Sequence, residues 1–318
     1  MSNATKEFSV DVLLKETNEV FTVKNVTVQM TVETLKVNLE IIAGIPKPLQ
    51  RLMYLDEGDM EDNSTLQHHD IVSGAKITMK IWRTWMHLIQ ACVKGELREV
   101  MKLGVTPDSE YQDPNSNFMG KERRIDWFFE RQSVALYVSA HRGRVDIMKK
   151  LISKGADVSK ATKCGRTALH VAAASGQDAC VDLLLSYGAG ELIKSEDNFG
   201  KTPLLLASEW GHKSSERRLF LFQWQVRASQ MKADVSKSDK DLMAHQMFDS
   251  SLKTHLQGCQ SQLYFSNVLP PQEFEGTALE SKHSKHYHKI LQSELKREKN
   301  SKKNGAIKSK AKRKVRLS

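Results

Sequence analysis

The sequence predicts an α+β protein made of two folded modules and a basic tail, and three observations carry that reading. Over residues 8–81, short alternating runs give the order strand, strand, helix, strand, strand. From residue 85 onward, a unit of turn, helix, turn and helix recurs at a spacing near thirty-three residues. From residue 281 to the end, fourteen Lys or Arg face two Glu, so the net charge of +10 belongs to the tail and the remainder is close to neutral. A chain of 318 residues has room for about two domains.

In the first module, residues 8–14 and 20–30 alternate and are rich in Val, with Lys15, Glu16, Thr17, Asn18 and Glu19 between them, which is a hairpin pattern. Thr31 or Thr34 then opens a helix. Val32, Leu35, Leu39 and Ile42 recur in it at helical spacing, and Gly44 ends it. Pro46 and Pro48 break the chain, residues 51–55 form a short strand, residues 56–64 a turn, and residues 77–81 a last strand. This is a β-grasp order.

The repeating unit is clearest between Lys163 and Gly190. Gly165 permits a tight turn, and Thr167 is placed to cap a short helix with Leu169, Ala172 and Ala173 on its apolar face. Gly176 ends that helix, and Cys180, Val181, Leu184 and Leu185 give a bulkier face on the next, which stops at Gly188. Thirty-three residues earlier stand Leu136, Gly143 and Gly155; thirty-five later stand Gly200, Thr202 and Leu204. A degenerate first unit begins at Trp85, with Leu88, Ala91, Cys92 and Gly95 in place. Two short helices with an exposed apolar side need neighbours, so the units must stack.

These residues resemble the ankyrin repeat. The resemblance implies an all-α solenoid that binds proteins through its turn tips and inner-helix surface, and a structural role for His170, bonded to the threonine and to the next turn. On the exposed turns it points to Lys163, Arg166, Asn198, Phe199 and Lys201 as partner-binding candidates. Tyr137 and Leu205 replace that histidine in the neighbouring units, which implies a less regular stack.

The first module resembles ubiquitin through Gly44-Ile45-Pro46, Gln50-Arg51-Leu52, residues 61–66 and Asp70-Ile71. Ubiquitin ends in a free Gly-Gly, whereas this chain runs on through Trp82-Arg83-Thr84-Trp85, so conjugation is not expected. Of the family's apolar patch Met53 remains, and Lys80 stands where a Val would. Met53 and Lys80 are therefore candidates for an altered docking surface.

The expected organisation is a ubiquitin-like β-grasp domain over residues 6–82, an all-α ankyrin solenoid of about four units over 83–229 with an insertion near 105–131, and a mostly disordered basic tail over 230–318. Ile125-Asp126-Trp127-Phe128-Phe129 is expected in the inserted loop, as packing on the seam or as a binding anchor. Residues 213–229 continue as an apolar final helix, and 239–257 as a short helix. With no linker between Ile81 and Trp85, the modules should touch, with Trp82 and Trp85 buried at the junction and the first module capping the first repeat.

Catalytic chemistry is not expected. There is no phosphate-binding glycine loop, His283, His286 and His288 lack partner ligands for a metal, and the four cysteines show no paired spacing. No cofactor and no metal are called for, and no apolar run is long enough for a membrane. With no signal-like start either, a cytoplasmic or nuclear adaptor for protein partners is the expectation. The alternative is a nuclear or nucleic-acid-associated protein acting through its tail, where the dense Lys and Arg of residues 308–316 read as an import signal.

Overall fold

The computed structural model describes residues 7–55, 58–109, 111–112, 119–230, 252–257 and 260–265. Strands β1 (Phe8–Leu14) and β2 (Glu19–Val26) form the expected hairpin, with Asn18 at positive φ in its turn. Helix α1 (Val32–Ile42) starts where the Thr31 hydroxyl accepts the Thr34 amide at 3.2 Å. Strands β3 (Gln50–Tyr54) and β4 (Lys76–Ile81) complete a four-stranded sheet of order β2-β1-β4-β3. The central pair β1 and β4 is parallel and the outer pairs are antiparallel. Val32, Leu35 and Leu39 fill one face of the sheet with Val10, Val12, Leu52, Ile77 and Met79, all of them buried. The N-terminal module is a ubiquitin-like β-grasp.

Trp82 alone separates β4 from α2 (Arg83–Lys94), the first helix of the repeats. Four helix pairs follow: α2 with α3 (Leu97–Lys102), α4 (Lys121–His141) with α5 (Val145–Ser153), α6 (Ala168–Ala174) with α7 (Asp178–Ser186), and α8 (Pro203–Glu209) with α9 (Lys213–Gln230). The third pair shows the local logic. Nδ1 of His170 accepts from the Thr167 amide at 3.1 Å, and its Nε2 lies 3.1 Å from the Ser195 carbonyl, so one ring closes its own helix start and the next turn. Ankyrin repeats therefore follow the β-grasp, as expected.

Three sequence expectations change. The aromatic run 125–129 is not loop but the first half of α4, which extends a repeat helix N-terminally to 21 residues. Apolar Trp127 and Phe128 lie within about two turns of the repeat proper, and a helix already nucleated by the repeat propagates through them. Residues 252–257, expected at the end of a helix, form strand β5 (Leu252–Gln257), paired antiparallel with β6 (Gln260–Phe265). The rest of that expected helix and the basic tail, with its histidines and import signal, lie outside the described residues.

The third change is at the junction. Trp82 stays 48% exposed beneath the Arg51 guanidinium, which stands 4.7 Å from its ring centre. Trp85 is half-buried on the apolar cluster, with the Arg131 guanidinium 5.2 Å from its ring centre. Arg131 is 1% exposed and sits among the rings of Trp85, Tyr111 and Trp127 at 4.8–5.2 Å. Its Nε and Nη2 donate to the Leu103 carbonyl, and its Nη1 to the Thr84 carbonyl, at 2.8–2.9 Å. One cation thus ties the insertion to the first repeat. We expect Arg131→Ala to lower stability in urea unfolding by roughly 3 kcal/mol, because charge-assisted bonds and ring contacts go together. Arg131→Lys should recover only part of it, because a point ammonium cannot serve both carbonyls.

Candidate protein-binding surfaces and the seam between the modules

The seam lies along helix α1. Its sheet-facing stripe is Val32, Leu35 and Leu39; on another face Glu40 and Ile41 are buried too. Ile41 packs with Ala174 of α6 and Leu206 of α8 in a small apolar cluster. These two helices carry the inner surface of the third and fourth repeats, so the β-grasp module sits on part of the face that ankyrin stacks offer to partners.

Polar contacts surround that cluster. One carboxylate oxygen of Glu40, in a fully buried residue, accepts from the Thr162 hydroxyl at 2.6 Å, and the other from the Lys47 amide at 2.7 Å. Arg142 grips both carboxylate oxygens of Glu19 at 2.7 and 2.9 Å. His141 places Nε2 2.9 Å from the Ile41 carbonyl. Gly44 is needed at this point twice over. Its φ is +68°, and a Cβ there would stand 2.3 Å from His141 Cγ. Gln90 of α2 donates to the Glu16 carbonyl at 2.9 Å, joining the first hairpin to the first repeat. Burial pushes the His141 imidazole down to about 3, helped by the neighbouring Arg142 charge. Burial likewise holds His170 at about 4.

The sequence-expected site residues divide into two groups. Met53 and Lys80 do share the open face of the sheet, since the register pairs Arg51 with Lys80 and Met53 with Thr78. Lys163, Asn198, Phe199 and Lys201 gather at adjoining turn tips. The Asn198 side-chain amide donates to the Lys163 carbonyl at 2.9 Å, and Asp197 accepts the amides of Phe199 and Lys201 at 2.9 Å each. Phe199 is 52% exposed. Lys201 is held by Glu209 at 2.5 Å.

Arg166, expected to be exposed, is a correction. It is 3% exposed, ion-paired with buried Asp197 at 3.1 Å, bonded to the Val37 carbonyl of α1 at 2.8 Å, and packed under the Phe199 ring. A turn position is exposed only if nothing docks on the turn, and here α1 does. Glu40, Ile41, His141 and Thr162 were missed. The one signal was the adjacent pair Ile41-Ile42, which puts apolar side chains on two faces of a single helix turn.

Buried thiols do not suit nucleophilic work: burial raises Cys92 and Cys164 to about 12 and Cys180 to about 11. Among the described residues, no group of three His, Cys, Asp or Glu stands together as a metal site would need, and no helix is long and apolar enough to cross a membrane.

Comparison with known proteins agrees with this architecture. The model of the ubiquitin family matches residues 10–81, and that of ankyrin repeats, in three copies, matches residues 132–223. Among curated proteins, the mouse protein fem-1 homolog A-like is 40% identical over 77 residues, 24% of this chain and 11% of that one. Human ankyrin repeat and SOCS box protein 16 is 40% identical over 132 residues, 37% of this chain and 27% of that one. Putative glutaminase 2 of Caenorhabditis elegans is 30% identical over 128 residues, 40% of this chain and 21% of that one. The chain thus spans between about a tenth and a quarter of the length of these relatives.

The two histidines give the fold a pH dependence of defined sign. Their folded values lie below the ordinary 6.5, so between about 4 and 6.5 the unfolded chain binds more protons. Their contribution is complete above about pH 6.5 and is lost as the pH falls below it. Thermal melting should fall between pH 7 and pH 5, and His141→Gln should flatten that slope; an equal slope in the variant would contradict the assignment.

Proposed function

We propose that this protein is a non-catalytic adaptor of the cytoplasm or nucleus, which binds protein partners through its ankyrin turn tips and holds a ubiquitin-like module that is not conjugated. The order of modules resembles that of ankyrin repeat domain-containing protein 60. The observation that carries the reading is the division of the repeat surface. Helix α1 occupies inner-helix residues Ala174 and Leu206, while Lys163, Asn198 and half-exposed Phe199 project at the tips. An exposed aromatic on a turn rigidified by Asp197 is the kind of anchor that concentrates binding energy at little entropic cost. The Met53–Lys80 face of the sheet is the second docking surface, altered from the ubiquitin type by its added charge.

Proximity labelling in the native cell type, with wild type and with Phe199→Asp, tests the principal reading. The variant should lose a defined set of labelled proteins, and in pull-downs the wild type should retain that set at high salt. Identical sets would refute turn-tip binding. A set that disappears with salt alone, from both proteins, would favour phosphate-driven contacts of the basic tail.

The absence of conjugation has its own check. The chain passes from Ile81 through Trp82 directly into α2, with no free Gly-Gly at the end of the β-grasp. Denaturing purification of the tagged full chain should therefore yield no isopeptide-linked conjugates through its β-grasp module, and their recovery would refute the reading.

A further inference from the structure

The two modules do not close against each other along the whole seam. Where the C-terminal end of α1 and the first hairpin face the repeats, a cleft of about 490 Å³ remains. That volume lies within the roughly 300–1,000 Å³ usual for small-ligand sites, and such sites favour domain interfaces. Its floor comes from one position of the repeat. Arg144, Gln177 and His212 each follow the glycine that ends a first helix, and each lies against the preceding repeat at Gly95, Gly143 and Gly176 respectively. Glu19, Arg142 and Trp210 also line it.

The charges in this cleft do not cancel. Arg142 and Glu19 neutralise each other in their two-point ion pair. Arg144 has no carboxylate partner among the described residues. Its Nε and Nη2 both donate to the Val93 carbonyl, at 3.0 and 2.5 Å. A guanidinium has five N–H donors in a planar fork. The side-on edge is therefore spent, and the end-on edge, with N–H groups on Nη1 and Nη2, remains for a ligand. The wall is polar beyond this, since Arg142 Nε and His141 Nδ1 are buried there without a hydrogen-bond partner.

We propose that this cleft binds a carboxylate carried on a small apolar body, with Arg144 taking the carboxylate and the apolar lining of Ile42 and Val93 packing on the body. A single uncompensated cation matches a monoanion, while a phosphate dianion would bring one charge too many into a partly desolvated site. The planar fork suits the two oxygens of a carboxylate. Such a ligand touches both modules and would lock the seam. Its source is either a peptide C-terminus or a free small acid, and the same titration separates them.

The full-length protein is titrated with benzoate, with N-acetyl-Gly-Leu, with the amide of that peptide and with inorganic phosphate, followed by tryptophan fluorescence and calorimetry. Saturable binding of benzoate or the peptide acid is expected, with the amide at least about tenfold weaker. Saturation by the peptide acid alone assigns the site to chain ends, and by benzoate alone to small acids. Because Arg144→Gln also gives up the Val93 bonds, the decisive variant is Gln177→Glu. It is nearly isosteric and sets a carboxylate on the cleft floor beside the cation. Melting should fall only slightly, since the bond lost is the long one of 3.4 Å from the Gln177 amide to the Ser175 carbonyl, and binding should be reduced by at least about tenfold. No saturation by either acid, equal binding of the amide, tighter binding of phosphate, or unaltered affinity in Gln177→Glu would each overturn the proposal.

Discussion

Helix α1 is asked to be buried on two sides, and the rest of the structure follows from that constraint. Toward the sheet it presents Val32, Leu35 and Leu39, which close the β-grasp core. Toward the repeats it presents Ile41 and the carboxylate of Glu40. A helix committed to both neighbours cannot turn about its axis without losing one core or the other. The orientation of the ubiquitin-like module on the repeats is thereby tied to the packing inside that module. Elsewhere the buried apolar residues of the two modules form one continuous cluster, separate from that of Ile41.

Part of the seam is polar, and that affects what it specifies. Around the Ile41, Ala174 and Leu206 cluster, Glu40, Arg142, His141 and Arg166 supply directional bonds. Buried ion pairs and hydrogen bonds offset much of their gain by desolvation, so they add little net stability. They do penalise a displaced register heavily, because a misaligned Glu40 or Arg166 would be buried without its partner. In this joint the polar bonds set the position and the apolar contacts supply most of the affinity.

The parts of the fold that depend on local periodicity were legible in the sequence. The alternation of β1 and β2, the 3.6-residue stripe of α1, and the Gly165–Thr167–His170 start of the third repeat all lie within a few residues of what they specify. The site was half legible. Met53 and Lys80 share one face of the sheet because strand register follows from the β-grasp order, and Phe199 is exposed because turn tips are. Arg166 was misplaced because its burial depends on Val37, which is 129 residues away. Trp82 was expected to be buried at the joint because it is adjacent to it in sequence, yet it stays exposed while α1 docks on the repeats. No period or cap encodes a contact between two modules, and only the doubled apolar pair Ile41-Ile42 hinted at it.

Arg166 has a consequence for how this surface can diverge. The same guanidinium holds Asp197, whose carboxylate shapes the Phe199 turn, and reaches the Val37 carbonyl of the other module. Any substitution that retunes the tip through Arg166 therefore also disturbs the joint, whereas changes at Lys163 or Phe199 leave the joint's bonds intact. Variation between related proteins should then be free at those two side chains and forbidden at the arginine beneath them. In this protein the recognition surface can drift only over a support that stays fixed.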